Sequence, residues 1–466
     1  MARACSLGLL LLLLLLLRTV VTVSLPVIVV RLNKAALDYV SDIGKAPLQR
    51  ALQVTISDFM DPSGEVLQST RVQILDAHVP FFYLKFIAGF GVHLSAAANF
   101  TIKVFSVPEP MELVLPVDLL ADVHVARDSI GTLVLSVPAC SSIFSPAGML
   151  DGSISTSQEL LDRVQEHIKA DLNNKLCLHV YGLVQDLNVH LGTLIGLSPV
   201  GPESQIRYSI TNMPTITRNY ISLDIGAILS LLGKPILLPM HGAHPFVLPR
   251  PLGDAGAMAT VGLSQHLFDC ALLMLQKAGS LNLEITGQLT EKQEPMLPSS
   301  PLISQVAHLF PEPTPLVLKV QLGATPVVTL HTSNSTLQLQ PLVEVFAAPS
   351  NLALQFLFSL DVMVNLDLQL SVSKCPSLCL TAFSWSSMMA APLTPTQTNP
   401  WPWLQMDQVL TLISTVFQKP LLDHLNALLG MGVVLPRVHN LHYVHSEVLV
   451  HEVRDFEWPG RLAVQI

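Results

Sequence analysis

The stretch VVRLNKAALDYVSDIGKAPLQRAL, residues 29–52, changes its hydrophobic period partway along, and that change sets the architecture. It opens as a short extended run. After Asn33, a residue type suited to an N-cap, Ala36, Leu37, Val40, Ile43, Leu48, Ala51 and Leu52 recur at helical spacing. Gly44 and Pro47 bend or interrupt the helix. From Val54 to Val137 the period falls to two: Val72 with Ile74, Leu84 with Phe86, Val92 with Leu94, then Leu119 to Val125. Turns at Asp61–Gly64 and Pro108–Pro110 punctuate the run. The pattern predicts a meander of long antiparallel strands with one apolar face.

A second helix follows. Thr156 and Glu159 have capping-box spacing, and Leu160, Val164, Ile168, Leu172 and Leu176 form a stripe opposed by Asp162, Glu166, Lys169 and Asp171. Such a stripe is ordinarily core. It could equally press on a lipid tail, and periodicity does not separate the two. Pro235 to Pro251 then breaks both periods and reads as a linker, after which the order recurs. Ser264 is expected to cap a helix carrying Leu267, Phe268, Ala271, Leu272 and Leu275, ended by Gly279. Strands fill Ser280 to Ser373, a long helix runs from Asp407 to Leu429 through Pro420, and a strand near Leu441–Val453 closes the chain. Helix, sheet, helix occurs twice. The expected fold class is α+β in two domains, 25–234 and 252–466, joined by the proline-rich linker 235–251.

The first residues set the compartment. Arg3 precedes a leucine run from Leu7 to Leu17, Arg18 interrupts it, and Thr22 and Ser24 offer small side chains before a cut at Leu25. Residues 1–24 therefore read as a secretory signal peptide, since the apolar run is too short to span a bilayer. No later transmembrane segment is expected, and the mature chain reads as secreted and monomeric. Two sequons, Asn99-Phe-Thr101 and Asn334-Ser-Thr336, suit that compartment. In the strand through Phe100, Ile102 and Val104, Asn99 falls on the opposite, wet face.

Composition limits the function. Half of the 466 residues are hydrophobic and only 13% are charged, so apolar side chains exceed ordinary surface needs. Two cores absorb much of that surplus, and a lipid-filled cavity could hold the rest. Losing Arg3 and Arg18 with the signal moves the net charge from −9 to −11, and both halves are acidic. With no clustered Lys or Arg, nucleic acid is excluded as a partner and anionic lipid is disfavoured.

Catalytic and metal chemistry find no footing. Gly262-Leu-Ser264 lacks the following glycine of a nucleophile elbow, and no phosphate-cradling or dinucleotide loop occurs. His439, His442 and His445, with His451 beyond, cannot converge from one strand, and His241 and His244 lie in the linker. No catalytic residue and no metal ligand is assigned. The mature cysteines, Cys140, Cys177, Cys270, Cys375 and Cys379, are odd in number. Cys140 ends a strand and Cys177 lies late in a helix, positions a staple could join, although connectivity stays open. Cys270, among apolar helical residues, reads as the unpaired thiol, while pairing of Cys375 and Cys379 is undetermined.

The residues also carry a resemblance. Val29–Tyr39 with Lys45–Leu52 resembles the opening helix of the bactericidal permeability-increasing and lipopolysaccharide-binding protein family, and Ala259–Phe268 through Gln276–Gly279 resembles the start of its second domain. The resemblance implies a boomerang of two barrels wrapped on long helices and joined by a central sheet. It implies a Cys140–Cys177 disulfide and an apolar pocket in each half for phospholipid acyl chains. Leu37, Val40, Leu160, Val164 and Ile168 are the candidate liners of the first pocket. Bound phospholipid or another acyl-chain lipid is the expected ligand, and no other cofactor is expected. An innate-defence binder of bacterial lipopolysaccharide is the alternative, weakened by the missing basic tip; a surfactant without stoichiometric lipid is the third reading. In the segment 374–404, Pro376, Pro392, Pro395, Pro400 and Pro402 predict an irregular loop and an incompletely closed second barrel.

Overall fold

The computed structural model describes residues 26–465 except 61–68, 106–109, 150–157, 193–196, 200–202, 237–247, 249–256, 288–315, 331–334, 350–352, 373–376, 393–405, 431–432, 435–446 and 452–460. The signal segment, Thr156, Asn334, Cys375, His241, His244, His439, His442 and His445 lie outside the described residues.

Strand β1 (Ile28–Asn33) runs into helix α1 (Lys34–Ile43), and Gly44 separates that from α2 (Lys45–Ala51). A Cβ on Gly44 would stand 2.6 Å from the Val40 carbonyl oxygen and 2.7 Å from Phe82 Cε1, so glycine lets the helix junction press on that ring. Asn33 occupies the N-cap position without bonding the helix. Its Nδ2 instead donates to the Ala257 carbonyl at 3.0 Å, so the amide expected to cap α1 ties it to the second half.

Next come β2 (Phe59–Met60), β3 (Ser69–Ile87), β4 (Gly91–Phe105), β5 (Met111–Arg127), β6 (Leu133–Phe144) and β7 (Gly148–Met149). They form a six-stranded antiparallel sheet in chain order, with β7 on β5. Helix α3 (Gln158–Gly192) has 35 residues, so it is about 52 Å long. It lies against β6, the open edge, and is clipped there at three heights. The Ser142 hydroxyl donates to Asn173 Oδ1 at 2.6 Å, Cys140 and Cys177 form a disulfide, and Asn188 bonds both the N–H and the C=O of Leu135. The Asn188 amide thereby supplies a partner that a further strand would otherwise give. On its other side α3 meets the segment after α2. Asp171 accepts from the N–H and hydroxyl of Ser57, and Lys175 donates to Thr55 O and to Asp171. Burial alone would raise the Asp171 carboxyl's pKa. The bonds from Lys175 and Ser57 outweigh it and hold the pKa below the usual range.

A central sheet joins the halves. The first half supplies β1, β8 (Leu197–Pro199), β9 (Ser204–Ile210), β10 (Thr215–Ile216), β11 (Tyr220–Leu231) and β12 (Lys234–Pro235). The second half supplies β13 (Ala259–Ser264), which pairs with β1 from Ile28↔Leu263 to Leu32↔Ala259. The linker is anchored on this sheet: Leu248 is buried against Val29, and the Arg31 guanidinium donates to its carbonyl at 3.3 Å while lying over the Tyr220 ring.

The second half continues with α4 (Gln265–Lys277), β14 (Leu283–Gly287), β15 (Leu316–Leu322), β16 (Val327–Leu330), β17 (Ser335–Leu339), β18 (Pro341–Ala347), β19 (Gln355–Val372) and β20 (Ser377–Pro392). Helix α5 (Met406–Leu429), β21 (Val433–Val434), β22 (Glu447–His451) and β23 (Arg461–Gln465) end the chain. Strands β22 and β23 return to the central sheet, β23 pairing with β13.

Within the segment expected to be an irregular loop, Ser377–Pro392 forms a strand, while Pro395, Pro400 and Pro402 lie outside the described residues. β20 pairs with β19 from Val372↔Leu378 to Leu360↔Pro392. Pro376 precedes the strand and Pro392 ends it, so no proline interrupts the ladder between them. Phe383 and Ser386 are left out of register as bulges, which take up the extra residues. Helix α5 packs against both β14 and β20 of the ladder β14-β15-β18-β19-β20.

Candidate functional site

The first half has two cores, not one. The larger joins Leu48 and Leu52 of α2 with the inward residues of β4 and β5 and with Val164, Ile168, Leu172, Leu176 and Val180 of α3. The smaller joins Phe86, Val125 and Leu133 with Ile210, Ile216, Ile221 and Leu223 of the central sheet. Half-buried apolar residues border both: Phe82, Leu94 and Val137 pack on the larger, and Leu37, Val92, Leu135 and Leu191 on the smaller.

Alternation shows that these side chains face inward. In β4, Val92 and Leu94 extend the series Ala96, Ala98, Phe100, Ile102, Val104, all sealed from solvent. The same face is therefore closed at one end and partly open at the other. Helix α1 lies at the open end, and Ser41 is its single buried residue. The Ser41 hydroxyl donates to Leu37 O at 2.7 Å and accepts from the N–H of Leu84 at 3.1 Å, hanging the helix on β3. Its apolar flank stays uncovered, with Val40 38% and Ile43 51% exposed. An amphipathic helix normally buries that flank.

Of the five candidate liners, Leu37 borders this strip and Val40 lies beside it on the exposed flank. Val164 and Ile168, 2% and 1% exposed, belong to the sealed larger core. The side chain of Leu160 is outside the described residues. On sequence alone, the strip residues Phe82, Val92, Leu94, Leu135, Val137 and Leu191 receive no lining role. Their alternation marks them as inward, a signal they share with every core residue of the same strands.

The second half differs. Its opening helix α4 buries Leu267, Phe268, Ala271, Leu272, Leu273, Met274 and Leu275. One core runs without a break from Ile28 and Val261 of the central sheet through α4 to β15–β19 and to Leu421, Leu425 and Leu429 of α5. Cys270 lies half-buried in α4 as a free thiol, and burial followed by the adjacent Asp269 charge pushes it up to about 12.

Asp269 is the strained group here. Burial raises its carboxyl to about 6, against bonds from the Val328 N–H and the Gln265 side chain, and Oδ1 is buried without a partner. The folded state thus holds a proton that the unfolded chain has already lost, so this residue's contribution to stability falls as pH rises from about 4 to about 6. Asp269→Asn is expected to become progressively more stable than the parent over that window and to level off above it. Paired denaturant curves across pH check this, and a pH-independent difference would refute it.

Among the described residues no group of three His, Cys, Asp or Glu side chains could hold a metal ion, and no helix is long and apolar enough to cross a membrane. Asn99, one of the two sequon residues, is half-buried on β4 between the sealed Ala98 and Phe100, on the outward face.

Comparison with known proteins places these features. The model of the LBP / BPI / CETP family N-terminal domain matches residues 36–194, and the model of its C-terminal domain matches residues 200–454. BPI fold-containing family B member 2 of Mus musculus is 90% identical over 454 residues, covering 97% of each chain. The Homo sapiens protein of that name is 62% identical with the same coverage. The crystal structure of lipopolysaccharide binding protein aligns with a TM-score of 0.52 at 17% identity, over 94% of this chain and 98% of that one, a likeness of fold.

Proposed function

We infer a lipid-holding function from one premise: the chain belongs to the LBP / BPI / CETP family. The observation that carries the reading is the half-exposed inward strip between the two cores of the first half, beneath a helix whose apolar flank the protein leaves uncovered. Acyl chains laid along Leu37, Val92, Leu94, Leu135 and Val137 would complete that burial. Ten methylenes removed from water would contribute about 8 kcal/mol before the cost of ordering the lipid.

The headgroup follows from charge. The solved relative is by its title a lipopolysaccharide binding protein, and such a ligand is strongly anionic. At the far end of this barrel Arg71 and Lys103 lie over the Phe105 ring, and Lys103 already pairs with Glu112 at 3.2 Å. That leaves little cationic surface in a chain of net charge −9. A neutral or zwitterionic phospholipid fits better, held by a secreted protein. The Cys140–Cys177 bond supports an oxidising compartment, and the outward Asn99 supports a sugar there.

Two measurements test the reading. Extraction of the purified full chain followed by lipid mass spectrometry should recover stoichiometric phospholipid, and a fluorescent phosphatidylcholine should be taken up. Leu94→Trp, which fills the strip, should weaken uptake about tenfold or more with folding retained. No co-purifying lipid together with no uptake would overturn the proposal.

A further inference from the structure

Helix α3 changes character at its midpoint. Up to Lys175 its solvent side carries Asp162, Arg163, Glu166, Asn173 and Asn174. From Leu176 to Gly192 it has no Lys or Arg, and its one carboxylate, Asp186, sits 3.6 Å from His190. Leu178, Tyr181, Gly182, Gln185 and Val189 fall within about 100° of the helix circumference over about 17 Å. Leu178 is 64% exposed and Val189 63% exposed, with Tyr181 between them also exposed. Core packing explains none of this, because the buried stripe of the same helix lies on the opposite side.

The position of this ridge indicates its partner. Leu191, on the last turn of α3, packs on the same small core as Leu37 of α1, so the end of the ridge and α1 meet at that core, beside the half-buried strip. Tyr39, Val40 and Ile43 stand exposed on the same α1 that reaches this core through Leu37. An anionic surface would need an excess of cations here, and the exposed Asp38 and Asp42 offset Lys34 and Lys45, the last 3.9 Å from Asp42. Large exposed apolar side chains with an interleaved tyrosine, almost no charge on the α3 ridge and no cationic excess on α1 suit a neutral lipid–water interface. We propose that the second half of α3 and the apolar flank of α1 form the face by which the protein docks on a zwitterionic lipid surface, delivering lipid to the strip. The proposal rests on the lipid-holding reading above.

The test uses the full secreted chain and phosphatidylcholine vesicles. Leu178→Glu/Val189→Glu should weaken co-sedimentation with vesicles about tenfold or more and slow uptake of fluorescent lipid from them. Uptake of a short-chain phosphatidylcholine presented as monomers should be unchanged. Leu178→Gln/Val189→Gln, which adds no charge, should show the same ordering and stands in if the charged pair misfolds. Docking is refuted if these variants bind vesicles as the parent does, or if the parent prefers phosphatidylglycerol vesicles tenfold or more. It is also refuted if the parent self-associates through this ridge and the substitutions dissolve that association. Failure of the parent to take up monomeric lipid sinks the lipid-holding reading itself, an outcome distinct from loss of vesicle binding alone.

Discussion

Replacing Cys140 and Cys177 together with serine is expected to lower the unfolding free energy by about 4 kcal/mol, measured from denaturant curves at constant slope. The bond spans 37 residues of sequence, and opening a loop of that size restores about 4 kcal/mol of entropy to the unfolded chain. Competing attachments are weaker. The Asn173–Ser142 and Asn188–Leu135 hydrogen bonds hold the same helix to the same strand, at about 1 kcal/mol each. They also fix the register of α3 above and below the cystine, so the folded variant should keep its helix in place while losing global stability. Reduction of the parent protein should reproduce the loss. A decrease under about 1.5 kcal/mol would mean that the unfolded chain is already restrained in this region.

The order of helices and strands is legible from residue 29 onward because the hydrophobic period switches cleanly between 3.6 and 2. The Cys140–Cys177 pairing is legible through family resemblance, where spacing alone left it open. Three features escape such reading, each for a physical reason. Proline content over 374–404 suggests a loop, but Pro376 and Pro392 bracket the strand and leave its interior free to pair. Asn33 and Ser264 are the residue types that cap helices, and both occupy N-cap positions. Asn33 spends its amide on Ala257, a tertiary partner that outcompetes the cap, whereas the Ser264 hydroxyl is buried with neither a cap bond nor another partner. Most consequentially, alternation reports which way a side chain points and nothing about whether protein fills the space beyond it. Val104 and Val92 lie on one face of one strand, yet one is sealed in the larger core and the other stays only half-buried at the edge of the smaller.

That last distinction becomes measurable by truncating the two opening helices in parallel. Phe268→Ala in α4 is expected to cost about 3–5 kcal/mol, because Phe268 is fully buried in the continuous core of the second half and its loss leaves a cavity. Leu37→Ala in α1 is expected to cost only about 1 kcal/mol, because that side chain is half-buried and packs on the edge of the small core. Ligand should reverse the contrast. Phospholipid at one hundred times its dissociation constant would stabilise the parent by about 2.7 kcal/mol through binding to the folded state alone. Phe268→Ala should keep that increment in full, since its site of damage is remote from the strip, whereas Leu37→Ala should lose part of it. Equal costs at the two positions would mean that α1 is as well packed as α4. An equal increment in both variants would place the lipid elsewhere than against α1.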